Sequence, residues 1–222
     1  GTSIGGTAAM MLTVEAAHGE ERRRGGLAVV KAVFMRLCTE VFNTASIRNL
    51  LMTGYKCNLK AHGSVLESII SVMLGVSGKP LPRAREGADP VPYCFATAAR
   101  QSDAGGDAGF RAYLSRNYSG DDLPFEGTDD MTCKDSTHAT TAAPTFFPPI
   151  TVGGETFVDG GLVANNPCVL AIDEAISLFP GRPVGVVVSL GCGKNTKTPK
   201  MSNSLMFWVG TLMDLGMSSR KA

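Results

Sequence analysis

A chain of 222 residues, 44% hydrophobic and 18% charged, is long enough to bury a sizeable core and too apolar to be disordered. Its net charge of +1, from 21 basic and 20 acidic residues, gives no electrostatic pointer to nucleic acid. The six cysteines (Cys38, Cys57, Cys94, Cys133, Cys168, Cys192) stand singly, which argues against a zinc site and reads as reduced thiols in a cytosolic setting.

The chain opens on Gly1-Thr2-Ser3-Ile4-Gly5-Gly6, a G-x-S-x-G pentapeptide with one further glycine. A nucleophilic serine gains exposure on a sharp strand-to-helix turn, where Gly1 and Gly5, two residues either side of Ser3, are expected to remove clashes. Thr7–Ala17 is helix-tolerant and places Ser3 at a helix N-terminus, where orphan N–H groups favour developing negative charge. Gly19 predicts the helix stop, Gly25-Gly26 a loop, and Arg22-Arg23-Arg24 a solvated turn. From Leu27 to Phe42, apolar residues at three- and four-residue steps predict an amphipathic helix packed on the core.

Ser64-Val65-Leu66-Glu67 is a capping box opening a helix to Leu74, with Gly75 as its exit. The proline-rich, charged stretch 78–92 reads as a surface loop. Val91–Ala98 predicts a buried strand and Phe110–Tyr118 the next, with Gly105-Gly106 in the loop between them. Asp121-Asp122 and Asp129-Asp130 flank another loop and lack the D-x-D-x-D-G calcium pattern, so no metal is expected. Met131–Thr141 can form a short helix, stopped by Pro144, and the rigid apolar run 145–149 suits the lining of a pocket.

Ile150–Val158 predicts a hairpin turning at Gly153-Gly154, which delivers the chain to Asp159-Gly160-Gly161. Asn165-Asn166-Pro167 caps a helix, with asparagine at the N-cap and proline at N1, running to about Phe179. Val184–Leu190 reads as a central strand from its β-branched content, Gly191–Lys194 as the loop at its end, and Leu205–Met217 as a last apolar helix around Trp208. Strands alternating with helices indicate an α/β sheet covered on both faces. The longest apolar runs are too short to span a bilayer.

A serine is a poor nucleophile until a base takes its proton. Histidine is the usual base, but none of His18, His62 and His138 follows Asp159, so the serine–acid–histidine order of an α/β-hydrolase triad is not met. Asp159 is the other candidate. An ordinary aspartate, with a pKa of about 3.9, is a feeble base, whereas burial beside Phe157 and the glycine turn would raise it. Gly160 and Gly161 let the backbone turn tightly and leave the carboxylate projecting, although Asp-Gly-Gly alone is more often a surface turn.

Five segments in order resemble the patatin-like phospholipase family: Gly1–Gly6, Thr141-Ala142-Ala143-Pro144-Thr145-Phe146-Phe147, Phe157-Val158-Asp159-Gly160-Gly161, Ala164-Asn165-Asn166-Pro167, and Ser189-Leu190-Gly191-Cys192-Gly193. The run ending Arg116-Asn117-Tyr118 is similar to the calcium-independent phospholipase branch. The resemblance implies one patatin-like catalytic domain over 1–222, a three-layer α/β/α fold around a mostly parallel sheet. It implies Ser3 as nucleophile and Asp159 as base of a dyad, Gly160 and Gly161 as motif support, and glycerolipid esters cleaved through an acyl-enzyme without metal or cofactor.

The family also carries a strand and a glycine-rich oxyanion loop before the elbow. Both are missing here, so the sequence reads as a fragment whose elbow, from Gly1 to Gly5, offers the Ile4 amide as oxyanion donor. His138 stands where relatives commonly have arginine and reads as a surface or pocket-rim residue. Triacylglycerol hydrolysis, transacylation, or an inert lipid-binding or scaffold fragment are the alternatives. Contact with membrane is expected to be peripheral, in the cytoplasm or on an intracellular membrane, with no nucleic-acid partner.

Overall fold

A computed structural model describes residues 1–41, 69, 75–102, 109–144 and 147–191. The first helix, α1 (Ile4–Ala17), buries Met10, Met11 and Val14 and ends where Gly19 takes φ +91°, a conformation costly for any residue with a Cβ. The second, α2 (Glu20–Val41), runs straight through Gly25-Gly26, where a loop was expected, and takes Arg22–Arg24 into its first turns. The reason is packing. A Cβ on Gly26 would lie 2.9 Å from Cβ of Glu15, so glycine here permits close crossing of α1 and α2 and does not break the helix. Val30 and Val33 of α2 join Met10, Met11, Val14, Ile69, Leu81 and Phe147 in one cluster.

The sheet comprises β1 (Phe95–Ser102), β2 (Gly109–Arg116), β3 (Glu126–Thr128), β4 (Ile150–Val152) and β5 (Glu155–Asp159), in the order β3-β2-β1-β5-β4. The expected α/β class holds, but the strand directions differ from the mostly parallel expectation. Among the described residues only β2 and β3 form a parallel ladder; β1 pairs antiparallel with both β2 and β5, and β4 with β5. The short connections from β1 to β2 and from β4 to β5 favour antiparallel pairing for those two pairs. Between β4 and β5, Gly153 and Gly154 at φ +60° and +86° make the two-residue hairpin turn anticipated there.

β1 is the central strand. One edge pairs with β2 along its whole length; the other meets β5 at Ala98–Arg100 and Thr2, in a parallel bridge, at Thr97. Its two faces are both covered. Ala96 and Ala98 face the side of α1 and of α3 (Cys133–Thr141), while Phe95 packs with Leu114, Tyr118 and Leu170 on the side of α4 (Gly161–Ala164) and α5 (Cys168–Leu178). Thr132 caps α3, accepting from the Asp135 amide at 3.1 Å and donating to the Asp135 carboxylate at 2.7 Å. At α5 the cap is displaced by one residue from expectation: Pro167 is the N-cap, and Asn166 Oδ1 accepts from the Cys168 amide at 3.2 Å.

Val184–Leu190 is not a strand. It is exposed, from 47% at Val184 to 91% at Leu190, and belongs to no ladder among the described residues. A cleft of about 290 Å³, lined in part by Gly1, Tyr93–Phe95 and Val188–Leu190, separates it from the end of β1. β-Branched composition registers fit to a pleated surface, and pairing also needs an adjacent edge. The helix predicted after Leu205, most of the Ser64–Leu74 helix and the Gly105-Gly106 loop lie outside the described residues.

A buried charge network ties β2 to α5. Arg116 forks onto both oxygens of Glu174 at 2.7 Å each and also donates to the Phe125 carbonyl; Tyr118 donates to Glu174 at 2.8 Å. Burial, with the Glu174 carboxylate beside it, pushes the Tyr118 phenol far up, so it stays a donor. Asn117 between them is fully used, bonding Cys94 through Oδ1 and the Pro82 and Pro92 carbonyls through Nδ2. Glu174→Ala strands a buried guanidinium and is expected to cost about 3–5 kcal/mol, measured by urea denaturation.

Candidate active site

Ser3 sits where the bridge to β1 ends and α1 begins, with φ 54° and ψ −131°. A non-glycine residue there is strained by roughly 1–3 kcal/mol and persists only when its surroundings hold it. Upstream, the Gly1 nitrogen donates to the Phe95 carbonyl and the Gly1 carbonyl accepts from the Thr97 amide, both at 2.8 Å. Thr2 Oγ1 donates to the Ala164 carbonyl at 2.7 Å, while the Ser3 amide donates to Thr140 Oγ1 at 2.9 Å.

The glycines of the elbow divide by function. A Cβ on Gly1 would lie 2.5 Å from the Gly5 carbonyl oxygen, and one on Gly6 would lie 2.8 Å from Thr140 Oγ1. Gly5, expected to relieve a clash, faces open space, so the close approach needs Gly1 and Gly6 and not Gly5. Ile4 is the first helical residue, and its amide is one of the orphans of the first turn of α1.

Asp159 ends β5, paired opposite Ala98 of β1 and only 2% exposed. Ser3 Oγ donates to its Oδ2 at 2.6 Å, and the Gly161 amide donates to Oδ1 at 2.7 Å. The two side chains are 156 positions apart in sequence, and the sheet brings them together. Burial holds the Asp159 carboxyl above its ordinary value, against the opposing pull of the Ser3 hydroxyl and the Gly161 amide. A carboxylate that accepts a serine proton at this length, while poorly solvated, is placed to act as its base.

Gly160 lets this turn form. A Cβ there would lie 2.2 Å from the Thr97 carbonyl oxygen and 2.6 Å from its carbon, both backbone atoms that cannot swing aside. Gly160→Ala should therefore push β5 and α4 off β1, destabilising the fold by about 1–3 kcal/mol or more. Thermal unfolding reads that loss, and any Ser3-directed acylation should slow beyond it.

His138 lies on α3 with Nε2 donating to the Pro148 carbonyl at 3.1 Å, and burial lowers its pKa from the ordinary value. Among the described residues, Asp159 accepts from the Ser3 hydroxyl and the Gly161 amide, and from no histidine. Phe147 packs into the core beside α1 and α3; Thr145 and Phe146 of the expected pocket lining are outside the described residues. Asp129 and Asp130, the second acidic pair, both face Arg83. Sequence reasoning missed Thr140, a buried threonine one residue before the Thr-Ala-Ala-Pro run. A hydroxyl there carries no signal of its own without the partner it meets.

Helices layered on a mixed sheet, with a serine on a positive-φ strand-to-helix elbow and a carboxylate against it, define an α/β protein with a serine–carboxylate pair at its elbow. The chain belongs to the patatin-like phospholipase family, whose model matches residues 1–172. It is 32% identical to rabbit (Oryctolagus cuniculus) calcium-independent phospholipase A2-gamma over 106 residues, 46% of this chain and 14% of that protein. The human protein of that name is 34% identical over 87 residues, 38% of this chain and 11% of its own length. Phospholipase A I of Arabidopsis thaliana is 40% identical over 55 residues, 25% of this chain and 4% of that protein. The matches thus span a small part of each curated relative.

Proposed function

We propose that this chain carries the catalytic dyad of a lipid acyl hydrolase, with Ser3 as nucleophile and Asp159 as its base. The observation that carries the reading is the 2.6 Å bond between Ser3 Oγ and the buried Asp159 carboxylate. Ser3 Oγ attacks the ester carbonyl carbon as its proton passes to Asp159 Oδ2. The tetrahedral intermediate collapses, Asp159 gives the proton to the departing alcohol, and the acyl group remains on Ser3 as an ester. Asp159 then takes a proton from water, which attacks the acyl carbon, and returns it to Ser3 as the fatty acid leaves.

The substrate class in this reading is a glycerolipid ester, a phospholipid or lysophospholipid, met by peripheral contact at a lipid surface. Family membership and the phospholipase relatives support that choice. The Ser3 amide is engaged by Thr140, so the Ile4 amide serves as the elbow's oxyanion donor.

A serine-directed fluorophosphonate applied to the intact protein tests the nucleophile. The label is expected on Ser3, located by peptide mass, and absent from Ser3→Ala; undiminished labelling of Ser3→Ala overturns the assignment. Product analysis with phosphatidylcholine, lysophosphatidylcholine and triacylglycerol tests the substrate class. Release of fatty acid from triacylglycerol alone would replace the phospholipid reading with a neutral lipase.

A further inference from the structure

Resting on the dyad reading, we propose that Thr140 is the positioning residue of this site: its buried hydroxyl, held between the Ser3 amide and the Thr97 carbonyl, fixes the nucleophile relative to its base. Thr140 Oγ1 accepts from the Ser3 amide at 2.9 Å and donates to the Thr97 carbonyl at 2.7 Å. The residue is 0% exposed, so water has no access to replace either bond. A Ser3 backbone at positive φ needs partners to hold it there, and Thr140 is the side chain that accepts from its amide.

The same helix end also holds the base. Two residues beyond Thr140, the Ala142 carbonyl at the C-cap of α3 accepts from the Asp159 amide at 3.0 Å. Nucleophile and carboxylate are therefore both fastened, through their own backbone, to one turn of α3. That turn is itself fastened to the central strand by the Thr140–Thr97 bond. Gly160 abuts the same Thr97 carbonyl, and Gly6 abuts the Thr140 hydroxyl, so the Asp159 turn and the start of α1 both pack against this pair of oxygens. Their mutual position is set by this shared mounting. The dyad's own hydrogen bond, which breaks and re-forms each cycle, cannot set it alone.

Thr140 does not face the substrate. Removing its hydroxyl should slow acylation without altering substrate affinity, since a misplacement of about 1 Å costs on the order of 10²-fold in rate. The test follows fluorophosphonate labelling of the intact protein as a time course, separating the rate constant from the final extent. Thr140→Val keeps the shape and loses the hydroxyl. It is expected to label to full extent with a rate constant lower by about 10²-fold, and kcat on phosphatidylcholine should fall alike with KM unchanged. Thr140→Ser restores the hydroxyl and should recover about tenfold or more of that loss.

Full extent at the wild-type rate constant in Thr140→Val overturns the proposal. So does a reduced extent at the wild-type rate constant, which marks a purely structural role. Should Thr140→Val fail to unfold cooperatively, Thr140→Cys against Thr140→Ser decides. A slow Cys variant beside a fast Ser variant supports positioning, and equal rate constants overturn it. Ser3→Ala and Asp159→Asn run in parallel: labelling that survives in Ser3→Ala, or a wild-type rate constant in Asp159→Asn, defeats the dyad reading itself, whatever Thr140 does.

Discussion

Asp159→Asn is expected to lower kcat by about 10²–10⁴-fold, the contribution of a positioned general base, while leaving the protein at least as stable at neutral pH. The two halves of this expectation come from one observation. Asp159 is buried, and burial raises its pKa, because the charged form loses more in leaving water than it gains from the Ser3 hydroxyl and the Gly161 amide. A folded pKa above the unfolded one means that the native state holds the proton more tightly. Stability then falls as pH rises from the unfolded towards the folded pKa, and stays lowered above it. At neutral pH the ionised carboxylate is therefore a cost to the fold.

Asparagine removes that cost and keeps the hydrogen bonds. Its carbonyl oxygen can accept from the Gly161 amide, where Oδ1 now accepts at 2.7 Å, and its amide can donate to Ser3 Oγ. Steady-state hydrolysis, with urea denaturation of the same preparation, checks both halves. Turnover within a few-fold of wild type would remove Asp159 as the base. Lost turnover accompanied by lost stability would mean that the site collapsed and did not merely lose its base.

Much of the site was legible because its residues carry local constraints. Gly1 and Ser3 announce a strand-to-helix elbow by composition, although the clearance expected of Gly5 is needed at Gly6, and Asp159-Gly160 announces a carboxylate on a tight turn. The Gly153-Gly154 hairpin and the Gly19 helix stop were legible for the same reason. What was not legible depends on neighbours remote in sequence. Gly26 reads as a helix breaker until Glu15 is found packed against it, and Val184–Leu190 reads as a strand although it has no ladder partner among the described residues. Strand direction was misjudged because alternation of element types fixes layers and leaves direction open. Thr140 was invisible because a threonine inside a helix acquires meaning only from Ser3 and Thr97, 137 and 43 positions away.

The pH dependence of kcat/KM should show an acidic limb centred above 3.8, the ordinary aspartate value, with activity falling about tenfold per pH unit below it. The base acts only when ionised, and kcat/KM reports the free enzyme, in which burial raises the Asp159 pKa against the weaker pull of Ser3 and Gly161. His138 is the competing source of such a limb, because burial lowers its pKa from 6.5 into the same direction of pH. Its titration can be removed without touching the dyad, as its Nε2 bonds the Pro148 carbonyl. A limb that persists unmoved in His138→Gln belongs to Asp159, and one that disappears belongs to the imidazole. Stability supplies the second discriminator. Between the unfolded and folded pKa of Asp159, falling pH relieves the buried charge while it extinguishes the base, so this group's contributions to stability and activity move in opposite directions. An enzyme that loses activity there only as it unfolds, or whose limb lies at or below 3.8, does not use this carboxylate as its base.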